Sequence, residues 1–509
     1  MFTDTLTNPI SITGGRVAGV ISKDGALTVY KGIPFAAPPV GVLRWREPQP
    51  VQPWDDVLIA NQYGPACMQP MHSPDHFMAQ FGFADVPECG ISENCLYLNV
   101  WAPRNAKNLP VIVWAYGGGH RVGSGSHPVS DGSALAKLGA VVVSINYRLG
   151  GLGYLAHPLL TQESGFSGNY ACLDVIAALK WVQQNITALG GNADNVTVFG
   201  QSAGAALINI IMASPLAKHD GKPLFHRAIV HSAGRFKGGP MGNAQSLMQA
   251  EQDGVKFIDA LGAKTLEEMR LLPADKFYGV PRQWNPIIDG HVLREPVQAV
   301  FERGEQLPVS LLVGFTRDDA TPFPFAEWHT QAGLQEHIDK AWSGKAARLQ
   351  ELYPFNDDAS AKQQSYAIRR DISFAYQCWR FAELHQQTSH APVYLFEFAK
   401  APPLDVHQFH GVQPTDGYGA YHGAELYYVF NTLQCKAWPW DSADQRLAEA
   451  ASRYWVNFSA QGNPSAQGLP VWPEFSKGKQ AMILDANPHA GAVSNQAQLE
   501  FFTDLFNAK

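Results

Sequence analysis

The 509-residue sequence has little charge and no basic surplus: 38 Lys and Arg stand against 45 Asp and Glu, a formal net charge of −7. Without a basic patch nothing follows a phosphate backbone, and no Lys/Arg run is long enough to hold an anionic membrane, so nucleic acid is excluded as a partner. Long apolar runs are missing too. The longest, Val111 to Ala115 and Ala203 to Ala213, fall short of the roughly 20 residues of a membrane-spanning helix, so no membrane span is expected. Cysteine is scarce. Six in the whole chain do not make a disulfide scaffold, and no C-x-x-C or paired Cys/His spacing points to zinc, so no metal is expected. Residues 1–12 have neither a basic n-region nor an apolar h-region, and no signal peptide is visible. Internal repeats, low-complexity tracts and long polar linkers are also absent, which favours a single domain over residues 1–509.

What the chain does hold is core material: 46% hydrophobic residues, with 13 Trp and 27 Phe, enough for a large globular fold with a small-molecule partner. Short β-type runs punctuated by Gly and Pro, Leu27 to Tyr30, Val111 to Ala115 and Ala140 to Ile145, read as strands. Helical patterns then alternate with them: a helix over Leu173 to Asn185, a strand over Val196 to Phe199, a helix after Ser202. That alternation predicts an α/β fold with an open, mostly parallel sheet covered by helices and long surface insertions.

Two glycine motifs carry chemistry. The segment Val196-Thr-Val-Phe-Gly200-Gln-Ser202-Ala-Gly204 is a β run ending in G-x-S-x-G before a helix-compatible stretch. In that context a serine sits on a sharp turn with its hydroxyl projecting, and the helix N-terminus behind it offers N–H groups to a developing oxyanion. The bare pentapeptide occurs by chance in glycine-rich chains, and the flanking strand and helix weaken that reading. Upstream, the strand Val111 to Ala115 runs into Gly117-Gly118-Gly119-His120. Consecutive glycines let backbone N–H groups face a cavity, so Gly118, Gly119 and the N–H of Ala203 are the expected oxyanion donors.

These motifs resemble those of the type-B carboxylesterase and cholinesterase family of α/β-hydrolases, and the resemblance runs over nearly the whole chain. Tyr30 to Arg44 and Ser92 to Trp101 resemble the family's two N-terminal signatures; Asn146-Tyr-Arg148-Leu-Gly150, Gly168-Asn169 with Asp174, Tyr454 to Phe458 and Trp472 to Phe475 follow in order. The resemblance implies an α/β-hydrolase fold, ester hydrolysis through an acyl-enzyme, and no cofactor. It puts the nucleophile on Ser202, the base on His422 in Tyr421-His422-Gly423, and the acid on Asp319, with the neighbouring Asp318 as the alternative. The order Ser, acid, His is the one α/β-hydrolases use. His410-Gly411 repeats the dipeptide but lacks the apolar run that follows His422.

The same resemblance pairs Cys67 with Cys95, which would add about 3 kcal/mol of stability and place maturation outside the cytoplasm, as a secreted or periplasmic protein; two free thiols would favour the cytoplasm. It makes Arg44 with Glu93, and Arg148 with Asp174, structural ion pairs. The choline-binding Trp of cholinesterases has no counterpart, Asp85 standing at that position, so choline esters are not expected substrates. Other departures shift charge one way: His120-Arg121 after the oxyanion glycines, Gln201 where the family has Glu, and Arg235 with Lys237 where cholinesterases build an acyl pocket. His120, Arg121, Gln201 and Arg235 are therefore expected near the substrate, which would be a bulky ester with a free carboxylate, such as a monoester of a di- or tricarboxylic acid. The competing readings are an inactive cholinesterase-like binding protein, and an amidase or thioesterase on the same machinery.

Overall fold

Runs of β-branched and aliphatic residues assemble into a mixed sheet that is eleven-stranded among the residues described by the computed structural model: 5–71, 87–239, 242, 244–278, 284–323, 328–405 and 417–507. In chain order the strands are β1 (Val20–Ile21), β2 (Leu27–Pro34), β3 (Tyr97–Pro103), β4 (Leu109–Ala115), β5 (Val141–Ile145), β6 (Gly191–Gln201), β7 (Arg227–His231), β8 (Ser310–Thr316), β9 (Val393–Phe398), β10 (Ala481–Leu484) and β11 (His489–Gly491). Across the sheet they lie 11-10-9-8-7-6-4-5-3-2-1. The six neighbouring pairs from β5 to β10 are parallel, and the margins are antiparallel. Burial on both faces explains the unbroken apolar runs: Val111 to Ala115 and Val141 to Ile145 are at most 2% exposed, as parallel strands under helices require.

The expected elements are present, most with longer bounds, while the strand read from Ala140 begins at Val141. The helix read from Leu173 begins at Tyr170 (α1, Tyr170–Asn185), and the strand read as Val196 to Phe199 extends to β6. Helix α2 (Ala203–Ala213) follows Ser202 directly; α3 (Tyr376–Ser389) and α4 (Ser442–Gln461) come from the C-terminal half. One contiguous hydrophobic core reaches from Val17 to Phe502.

Register decides what meets at the sheet's edge. Gln201 of β6 pairs with His231 of β7, and His231 with Gly314 of β8. The loops leaving β4, β6, β7 and β8 therefore emerge side by side at the C-terminal ends of parallel strands, where open α/β sheets place ligands.

Two ion pairs brace the scaffold. Arg44 holds Glu93 through both Nε and Nη2, and buried Arg148 holds Asp174 at 2.7 Å. Cys67 and Cys95 are disulfide-bonded with Cα atoms 4.9 Å apart, while Cys89, Cys172 and Cys378 are free thiols. Asp85 and His410 lie outside the described residues. The bridge closes a span of 28 residues, so Cys67→Ser is expected to cost about 3 kcal/mol in denaturant unfolding. Non-reducing peptide mass spectrometry checks the bond itself, and two free thiols in fresh protein would refute it.

Candidate active site

Ser202 is the residue between β6 and α2, with φ 54° and ψ −122°. Few non-glycine residues accept that conformation, which costs of order 1–3 kcal/mol and throws the side chain off the sheet's edge. The flanking glycines are sterically required. A Cβ on Gly204 would stand 2.1 Å from the Ala115 carbonyl oxygen, and one on Gly200 2.7 Å from the Ala205 nitrogen. The turn is pinned by the Ser202 N–H donating to His231 O (2.9 Å), and the Ser202 carbonyl opens α2 by accepting from Ala206 N–H (2.9 Å).

The glycine loop after β4 faces this turn. Gly118 adopts φ +111°, and a Cβ there would sit 2.1 Å from Val122 O; Gly119 adopts φ +62° and is exposed. Among the described residues the N–H groups of Gly118, Gly119 and Ala203 make no hydrogen bond. Three donors are thus left for a ligand. Gln69, two residues past Cys67, clamps the loop by accepting from Gly123 N–H (2.7 Å) and donating to Gly123 O (2.9 Å).

His422 and Asp319 meet beside the turn, with Nδ1 and Oδ1 2.6 Å apart. Asp319 is fully buried, and its Oδ2 accepts from Ser232 Oγ (2.7 Å) and Thr316 N–H (3.1 Å). Asp318 faces the other way. Its Oδ2 accepts from Ala420 N–H (2.8 Å) and its N–H donates to Ala420 O (3.0 Å), so it ties down the segment leading to His422. The imidazole is flanked by Phe323 and by Phe374, ring centroids 5.3 and 4.7 Å away. Phe374 comes from a π-helical turn, Asp371–Ala375, preceding α3.

The remaining expected residues are less simply placed. Gln201 turns toward His422, its Nε2 3.0 Å from the imidazole Nε2, and Ser202 Oγ makes no hydrogen bond among the described residues. With the amide N–H as donor, His422 Nε2 carries a lone pair and Nδ1 carries the proton. His120 is 1% exposed, bonded through Nδ1 to Tyr154 Oη (2.8 Å). Burial and the charge of Arg235 push its pKa down to about 3, so it is neutral. Arg235 is itself 3% exposed, held by Pro286 O (3.0 Å); its Nε and Nη1 have no partner. Burial lowers it to about 10, which leaves it charged at neutral pH. Arg121 is partly exposed, and Lys237 is exposed.

The sequence profile described as the carboxylesterase family matches residues 7–502. The chain belongs to this family. It is 34% identical over 499 residues to a fumonisin B1 esterase of Sphingopyxis macrogoltabida, covering 94% of this chain and 86% of that one. It is 33% identical to a para-nitrobenzyl esterase of Bacillus subtilis, covering 97% and 98%. Among solved structures, a PNB esterase superposes with a TM-score of 0.81 at 30% identity, over 96% of this chain and 99% of that chain. The protein is a carboxylic ester hydrolase of α/β-hydrolase fold. Within it, sequence reasoning missed Gln69, Ser232 and Phe374. The first two are single polar residues without a motif. Phe374 reaches His422 through a π-helical turn that no apolar period announces.

Proposed function

We propose that this esterase works through Ser202, His422 and Asp319, with Gly118, Gly119 and Ala203 as the oxyanion hole. The 2.6 Å contact between His422 Nδ1 and Asp319 Oδ1, beside the strained Ser202 turn, carries the reading. As Ser202 Oγ attacks the ester carbonyl carbon, its proton passes to His422 Nε2, which leaves the Gln201 amide to meet it. The carbonyl oxygen takes the negative charge and is held by the three N–H groups. Collapse expels the alcohol, which leaves with the proton from His422; Asp319 keeps the imidazole in the right tautomer and stabilises its charged form. Water repeats the sequence on the acyl-enzyme and releases the acid.

The preferred ester bears a free carboxylate on a bulky group. Arg235 supports this: it is charged, buried and without an ion-pair partner among the described residues, close enough to His120 to shift its titration. Enclosure makes it act through its field, and partly exposed Arg121 follows two residues after Gly119. An uncompensated charge acting across about 8 Å at an effective dielectric of about 20 is worth about 2 kcal/mol. Arg235→Ala and Arg121→Ala are therefore expected to lower kcat/KM roughly ten- to hundredfold on a carboxylated ester relative to its neutral analogue. A wild type that prefers the neutral ester, with a ratio that neither variant moves, would refute the preference and leave a generalist esterase.

A further inference from the structure

Three residues beyond His422 lies a second buried carboxylate that the mechanism does not use. Glu425 and His231 are fully buried, with His231 Nδ1 3.0 Å from Glu425 Oε1. The other ring nitrogen, Nε2, is 3.2 Å from the indole nitrogen of Trp455 on α4. An indole N–H only donates, so His231 Nε2 must carry a lone pair. The single ring proton is then on Nδ1 and is given to Glu425. An imidazolium would set two N–H groups against each other at Nε2. The rings of Phe199, Phe396 and Trp455 enclose the imidazole at 4.7, 4.8 and 5.2 Å, and burial drives its pKa well below the ordinary value.

Among the described residues Glu425 therefore takes its side-chain hydrogen bond from a neutral ring, and its Oε2 has no partner; the backbone N–H groups of Gly423 and Glu425 favour the ionised form, but less than burial and Asp319 oppose it. Asp319, by contrast, takes three: from His422, Ser232 and Thr316. A buried carboxylate whose side-chain partner is a neutral ring is poorly held as an ion, the more so with a second carboxylate nearby. Burial and the charge of Asp319 push Glu425 up to about 8. The other titratable groups around it are His422, Tyr421 and Cys378; burial raises the Tyr421 phenol and the Cys378 thiol, which stay neutral. The pair also has a mechanical position. His231 ends β7 and its carbonyl accepts the Ser202 N–H, while Glu425 belongs to the His422 loop.

We propose that His231 and Glu425 form a neutral imidazole–carboxylic acid couple that locks the His422 loop to the Ser202 turn and leaves the negative charge of the site on Asp319. Both are positioning residues, and the proposal rests on the Ser202, His422 and Asp319 reading.

Protonation and positioning are tested separately. A carboxyl raised from 4.5 to about 8 on folding keeps a proton that the unfolded chain releases. Its cost to stability therefore grows as pH rises between those values and is constant above them. Glu425→Gln is neutral in both states. The Tm of Glu425→Gln minus that of the wild type is expected to rise from about pH 5 to about pH 8 and then level off. The infrared carbonyl band of one protonated carboxyl should be present in the wild type at neutral pH and lost in the variant. A Tm difference independent of pH, or an unchanged infrared band, means that Glu425 is ionised and overturns the neutral couple. For positioning, His231→Ala is expected to lower kcat about tenfold or more with KM nearly constant, slowing organophosphate labelling of Ser202 in parallel. His231→Gln, whose amide can accept from Trp455 and donate to Glu425, should restore most of the rate. Wild-type kcat in His231→Ala, or no rescue by glutamine, overturns the positioning role. An organophosphate label on a residue other than Ser202 would instead sink the underlying mechanism, and the Tm comparison would still report on the couple.

Discussion

Ser202→Ala is expected to lower kcat by about five to six orders of magnitude, with the fold and thermal stability close to wild type. On the proposed mechanism the loss is large because the nucleophile and its base act as a unit: without Oγ no acyl-enzyme forms, and His422 has no proton to take. What survives is binding and the oxyanion donors acting on a water-mediated reaction. Stability should hardly change, because Ser202 Oγ makes no hydrogen bond among the described residues and the strained backbone is kept by the Gly200 and Gly204 contacts. An organophosphate should label Ser202 alone in the wild type and nothing in the variant. Peptide mapping that finds the label elsewhere, or a variant with near-normal turnover, would end the proposed mechanism.

The second large effect separates two adjacent carboxylates. Asp319→Asn is expected to lower kcat roughly 10⁴-fold, because an amide opposite Nδ1 no longer favours the tautomer with a free Nε2 lone pair and cannot stabilise the imidazolium. Asp318→Asn should fall by far less. Its oxygen serves the Ala420 N–H, and an asparagine oxygen accepts the same bond, so the segment before His422 stays in place. Steady-state kcat for the two variants decides between them, and the reverse ranking would move the acid to Asp318.

Much of the fold was legible because its signals are local. Runs such as Val111 to Ala115 are apolar at every position since they are buried on both faces, and the G-x-S-x-G turn is readable because its glycines clash with backbone only a few residues away or on the adjacent strand. The margins of the sheet were harder to read. Strands β10 and β11, four and three residues long, are too short to show a period against the surrounding loops.

Sequence alone determined the architecture and the positions of the strained serine and of the glycine loop that faces it, because sterics and hydrophobic periodicity act over a few residues. Tertiary structure decided which acid faces His422, since Asp318 and Asp319 differ only in the direction their side chains leave one turn, and that direction is set by pairing with a segment about 100 residues away. It also decided that Gln201 reaches His422, that Arg235 is enclosed instead of lining an open wall, and that His231 meets Glu425 across 194 positions. Each depends on strand register and on which side chains the packed core leaves without water, quantities that no window of sequence contains.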